Sequence, residues 1–214
     1  MATSNSGIPG SFTGRIGNTV YYFLNGKWVS RSVAAVTKPA TPGKLAIQMR
    51  MGIASTVLRQ LKPFINVGYR QLAIAKKDNA SNVAKSFLLR NAMTGEYPDI
   101  SIDYEKMKVS EGPLMPALEF SVTQVAEGLR FNWFADPLAP WPDYTDQVMM
   151  LAYFPALGKI VFDLYGAQRS QGTALLPISA PMQSEYMETY ISFVSADRSA
   201  TATSCYTGSI NAII

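Results

Sequence analysis

The spacing of the hydrophobic residues changes once along this chain, at "MTGEYPDIS" (93 to 101), and that change limits the fold more than any other feature. Ahead of it, Leu45, Met49, Ile53, Val57 and Leu61 recur every four residues, the spacing of one helix face. Thr41 is a suitable N-cap and Pro42 suits the first helical position, so a helix is predicted over about 42–61, ended or kinked by Pro63. "PFINVGYRQLAIAKK" predicts a second helix, and "NASNVAKSFLLRNA" a third, capped by Asn79 or Ser81 and carrying Val83, Phe87 and Leu88. Beyond the change come short runs between turn residues: "SIDYEKMKVS", "ALEFSVTQVA", "GLRFNWFA", "QVMMLAYFP", "KIVFDLY", "TALLPIS", "METYISFVSAD" and "TATSCYTGS". Some alternate, as in Leu129-Phe131-Trp133 and Ile191-Phe193, with Phe131 turned inward. Seven or eight strands at this spacing predict an antiparallel sandwich. With one cysteine there is no antibody-type Cys pair, so the pattern reads as immunoglobulin-like or fibronectin-III-like.

The stretch "TVYYFLNGKWVSRS" adds a hairpin at the front. Asn25-Gly26 favours a two-residue type I′ turn, which pairs Leu24 with Lys27, Phe23 with Trp28, Tyr22 with Val29 and Tyr21 with Ser30. One face then carries Tyr21, Phe23 and Trp28; the other carries Val20, Tyr22, Leu24 and Val29, with Lys27 and Arg31 at its margins. Both faces are apolar, which raises the question of what covers the second. Residues 1–18, with glycines at 7, 10, 14 and 17, read as a flexible Gly/Ser-rich arm. The fold class is therefore α+β, in three parts: the arm (1–18), a basic hairpin and helical region (19–95), and an acidic β-sandwich domain (96–214).

Charge follows the same division. Residues 1–90 hold thirteen Lys or Arg against one acid, Asp78; residues 91–214 hold six against fourteen, giving +12 and −8 within a net +4. Two readings use this asymmetry. The basic half, with Arg15, Lys27, Arg31, Lys44 and Arg50 beside Tyr21, Tyr22 and Trp28, can neutralise phosphates and stack on bases. Alternatively, the basic half of one copy docks on the acidic half of the next, head to tail. The second is preferred because both halves then have a partner.

Composition excludes several chemistries. There is no histidine, so Ser-His-Asp and Cys-His catalysis and histidine-based zinc sites within this chain are ruled out. A single cysteine, Cys205, builds neither an intrachain disulfide nor a Cys-rich metal site, and its neighbours mark it as a small buried residue and not a reactive thiol. "GSFTGRIG" lacks dinucleotide-loop spacing, and nothing sets Asp163, Glu185 or Glu188 as a glycosidase pair. Asp136, Asp143 and Asp146 in "ADPLAPWPDYTDQ" form a candidate Ca²⁺ cluster that matches no EF-hand spacing, and solvated turn aspartates are the commoner outcome. Trp141 and Tyr144 in the same loop offer stacking groups for a carbohydrate or peptide. No apolar window spans a bilayer and no leader is apparent, so a cytoplasmic protein is expected, or one exported without a cleaved signal.

Four segments, "GSFTGRIGNTVYYFLNGKWVSRS", "LAIQMRM", "NAMTGEYPDISIDYEKMKVSEG" and "ISFVSADRSATATS", resemble an uncharacterised family of unknown function widespread in Bacteroidota. The resemblance implies a bacterial source and the order hairpin, helices, β-sandwich; it brings no catalytic residues. The expectation is a non-enzymatic structural or interaction protein without a cofactor. It self-associates into a ring or filament through Val20, Tyr21, Tyr22, Phe23, Leu24, Trp28 and Val29 and the arm. Nucleic-acid binding by the basic half is the second expectation, and carbohydrate or peptide binding the third.

Overall fold

A computed structural model describes residues 3–4, 12–24, 26–35, 39–138 and 143–212. Asn25, Trp141 and half of the Gly/Ser-rich arm lie outside these residues. Contacts divide the chain into two compact units, Met1–Thr41 and Pro42–Ile214. The charge pattern suggests a break near residue 95; the contacts instead break between Thr41 and Pro42, because the helices share their core with the strands that follow them.

The first unit is an antiparallel sheet in the order β1 (Thr3–Ser4), β2 (Phe12–Ile16), β3 (Thr19–Leu24), β4 (Lys27–Ser32). The β3–β4 register pairs Leu24 with Lys27, Phe23 with Trp28, Tyr22 with Val29 and Val20 with Arg31. Part of the segment read as an arm is strand: β2 pairs Gly14 with Tyr21, Arg15 with Val20 and Ile16 with Thr19. Alternation explains this, since Phe12 and Ile16 reach the Tyr21 face and Phe12 meets the Tyr21 ring edge-on at 6.4 Å.

The second unit begins with α1 (Pro42–Gln60), α2 (Lys62–Gly68), α3 (Arg70–Lys76) and α4 (Ala80–Asn91). The predicted stripe of α1 faces inward and deepens toward its end, where Ala54, Val57 and Leu58 are buried and Leu61 follows. Pro63 sits in the first turn of α2, so the chain bends there and continues helical. The Asn79 side chain caps α4 by accepting from the Asn82 amide at 2.8 Å.

Antiparallel strands follow. β5 (Met93–Thr94) pairs with β6 (Ser101–Ile102) as a short ladder. "SIDYEKMKVS" otherwise leaves strand geometry, because the Asp103 carboxylate binds the Lys106 amide and ammonium and holds a turn. One sheet runs β11 (Thr173–Pro177), β8 (Gly128–Asn132), β7 (Ser121–Val125); a second runs β10 (Lys159–Asp163), β9 (Gln147–Phe154), β12 (Met187–Val194), β13 (Cys205–Ile210). A short helix α5 (Ala180–Gln183) precedes β12.

β9 and β12 are buried on both faces. Val148, Met150, Ala152 and Phe154 of β9 share a core with Leu129, Phe131 and Leu176 of the three-stranded sheet. The alternate residues Met149, Leu151 and Tyr153 join Phe64 and Leu88 of the helices and Leu61 and Tyr69 of the junctions between them. Double burial explains why "VMMLAYF" reads as a continuous apolar run and not an alternating one. Each buried Val, Leu, Ile, Met or Phe side chain among these stabilises the fold by roughly 1.5–3 kcal/mol. Among the described residues no helix is long and apolar enough to cross a membrane.

Candidate interaction site

In the first unit no described side chain is buried. Tyr21, Tyr22, Val20 and Val29 are half-buried, whereas Phe23, Leu24 and Trp28 at the hairpin end are 54%, 51% and 48% exposed. Phe23 and Trp28 lie on one face with ring centroids 4.9 Å apart. Leu24 and Lys27 are direct cross-strand neighbours on the other, where Arg31 stands 5.9 Å over the Tyr22 ring. This end of the hairpin is apolar, aromatic and basic, with Phe23, Leu24 and Trp28 exposed.

The basic residues named from sequence separate. Arg15, Lys27 and Arg31 belong to the hairpin unit, and Arg15 is drawn back onto its own turn by donating to the Gly17 carbonyl at 2.9 Å. Lys44 and Arg50 lie on α1 in the second unit, where Arg50 reaches the Gly95 carbonyl at 3.5 Å.

The aspartate loop lines a pocket of about 330 Å³ in the second unit. Its described walls are Met115, Leu118 and Phe134, all exposed, with Asp136 and Asp143 at the margin. Asp146, 2% exposed, forms part of the lining and pairs with Arg169 at 3.3 Å. Arg169 also donates to the Met115 carbonyl at 2.7 Å, lies 3.7 Å over the Phe193 ring, and accepts the Trp133 indole N–H on its backbone oxygen at 2.7 Å. Burial pushes the Asp146 carboxyl up against the pull of Arg169, and burial lowers the guanidinium. The three aspartates do not gather as metal ligands: among the described residues no group of three His, Cys, Asp or Glu side chains is set to hold an ion. Asp146 is committed to Arg169, and Asp136 accepts from the Leu138 amide at 2.8 Å. Tyr144 is exposed in the 3-10 turn Asp143–Thr145.

A family model described as a family of unknown function, DUF6266, matches residues 11–208. The chain belongs to that family. The matched span holds both the hairpin and the aspartate pocket, so this DUF6266 chain carries both within one family unit. No curated protein and no solved structure matches it.

Two groupings in this DUF6266 chain escape sequence reading. Arg169 is isolated in "GAQRSQG", and only the fold carries it to Asp146. Glu188, 3% exposed in β12, accepts hydrogen bonds from the hydroxyls of Tyr186 and, at 2.6 Å, Tyr206. Burial, then the carboxylate, pushes the Tyr206 phenol well above its ordinary range. A lone acid in an apolar strand was the available signal for that group, since a buried carboxylate requires donors. Cys205 is half-buried, its Sγ 3.7 Å from the Ala117 carbonyl, and burial raises the thiol.

Proposed function

We propose that this protein is a non-enzymatic interaction protein that self-associates through its N-terminal hairpin. The observation that carries this reading is the exposure of Phe23, Leu24 and Trp28 together at one end of a sheet in which no described side chain is buried. Exposed aromatic and aliphatic groups clustered this way favour association, because covering them removes apolar surface from water at roughly 25 cal/mol per Å². Strand pairing at the sheet edge adds directional hydrogen bonds. The opposite charges of the two parts of the sequence support head-to-tail growth into a ring or filament. Phe23→Ala with Trp28→Ala is expected to lower the molar mass of the assembly in light scattering while far-UV circular dichroism stays unchanged. An unaltered mass in a folded double variant overturns the reading.

The strand orders β11-β8-β7 and β10-β9-β12-β13 support a fibronectin-III-like reading of the β-rich part, with two antiparallel sheets around one core. Helices packed on the second sheet are the addition that makes it a larger body. Nucleic-acid binding is the second reading, favoured by Arg31 over Tyr22 with Lys27 on the same sheet face. Binding to generic single-stranded DNA that falls steeply with salt supports that reading; none at low salt dismisses it.

A further inference from the structure

The aspartate pocket has the size and charge to receive a hairpin end, and we infer that it takes the paired Leu24 and Lys27 side chains of another copy of this chain. The inference rests on the hairpin reading above and names the surface that the hairpin meets.

Two independent features point to this occupant. The first is size and wall chemistry. At about 330 Å³ the pocket is at the small end of ligand-sized cavities, suited to one or two side chains and not to a whole strand. Its walls are apolar where Met115, Leu118 and Phe134 stand exposed, and a hydrophobic rim left open to water is itself a contact surface. The second is charge. Among its described lining residues three carboxylates face one guanidinium, and the Asp146–Arg169 pair uses one of each. Asp143 is near enough to Arg169 to act on it electrostatically, but among the described residues neither Asp136 nor Asp143, both exposed, forms an ion pair.

The hairpin end is the complement of both. Leu24 and Lys27 face each other across the strands, so one apolar and one cationic side chain project together from the same face. Residues 1–41 contain four basic side chains and no acidic one, so approach to the acidic rim is electrostatically steered. Leu24 seats against Leu118 and Phe134 while the Lys27 ammonium reaches Asp136 and Asp143. Phe23 and Trp28, on the opposite face, are left to cover the outside of the rim. Because donor tip and acceptor pocket are different surfaces, the contact is heterologous, and repetition gives a ring or a filament.

The test uses two full-length variants. Leu24→Ser/Lys27→Ser disables the tip and leaves the pocket intact; Leu118→Lys/Asp143→Asn places a cation in the pocket and leaves the tip intact. Leu118 and Asp143 are exposed, and circular dichroism with urea unfolding verifies that each variant is folded. Light scattering is expected to show each variant alone disassembled, its assembly midpoint raised about tenfold or more in concentration. Mixed in equal amounts they are expected to form a dimer that grows no further, since the tip of one meets the pocket of the other and the remaining surfaces are both disabled. If the tip variant disassembles and the pocket variant assembles like the wild type, the pocket is not the receptor, and the hairpin reading stands without it. If the tip variant assembles like the wild type, Leu24 and Lys27 are not the donor and the inference falls, while the hairpin reading is judged separately by the Phe23→Ala/Trp28→Ala variant. If the wild type is monomeric at every concentration, both fall.

Discussion

Replacing Arg169 by methionine isolates Asp146 and tests how the pocket is built. The guanidinium of Arg169, whose side chain is 11% exposed, donates to the Met115 carbonyl at 2.7 Å, pairs with Asp146 at 3.3 Å and covers the Phe193 ring at 3.7 Å. Arg169→Met keeps much of the apolar volume and removes all three polar contacts. Asp146, 2% exposed, is then left without its counter-charge. Breaking a buried pair from one side costs about 3–5 kcal/mol, and the lower figure applies here because the Arg169 Nε already lacks a partner and the Asp146 contact is long. The sign with pH follows from the same burial. The Asp146 carboxyl already sits above its ordinary value and rises further without Arg169, so its folded pKa exceeds the unfolded one. The destabilisation is therefore full above the folded pKa and shrinks as pH falls through it, when the folded form takes up a proton first. Urea unfolding followed by tryptophan fluorescence measures this, with Trp133 bonded to the Arg169 backbone as a local reporter. Adding Asp146→Leu to Arg169→Met is expected to restore most of the loss, because an apolar pair leaves no buried charge. A deficit under about 0.5 kcal/mol, or one that does not shrink between about pH 7 and about pH 4, refutes the reasoning.

Two further outcomes follow from hydrogen-bonded carboxylates. The Asp197 carboxylate accepts from the Ser195 hydroxyl at 2.6 Å and from the Ser199 amide at 2.9 Å, which lowers its pKa to about 2. Its contribution to stability is present above the unfolded value of 3.8 and is lost as pH falls through about 2. Carboxyl NMR titration of the wild type and Ser195→Ala is expected to show a low midpoint that rises in the variant; an ordinary midpoint in both contradicts this. Tyr206→Phe takes one of two donors from buried Glu188 and is expected to cost about 1.5–3 kcal/mol in urea unfolding, and unchanged stability contradicts it.

What the sequence reveals depends on how local each feature is. The four-residue stripe from Leu45 to Leu61 and the Asn79 cap are local, and α1 and the start of α4 follow them closely. The β3–β4 register is equally local, because a two-residue turn leaves no freedom in the pairing. β9 and β12 are legible as strands, but their double burial under helices is a tertiary fact that an apolar run signals without naming what covers it. Residues 12–16 show the opposite case: glycine content suggests an arm, while Phe12 and Ile16 alternating beside Tyr21 make a strand. At the pocket, Asp136, Asp143 and Asp146 stand out as a cluster, and the chemistry that a cluster suggests is cation binding. The residue that changes this is Arg169, which the 3-10 turn Arg169–Gln171 after β10 delivers to Asp146. Met115 comes from a loop with no periodic signal, whereas Leu118 and Phe134 belong to "ALEFSVTQVA" and "GLRFNWFA", read as strands. In the structure β7 begins only at Ser121 and β8 ends at Asn132, so both side chains fall in the loops that form the apolar wall.

Self-association is tested most directly by the molar mass of the wild-type chain, measured by light scattering across protein concentration at low and high salt. The account predicts masses above 23.4 kDa that rise with concentration and fall as salt screens the contact between basic tip and acidic pocket. A constant 23.4 kDa at every concentration and both salts contradicts it.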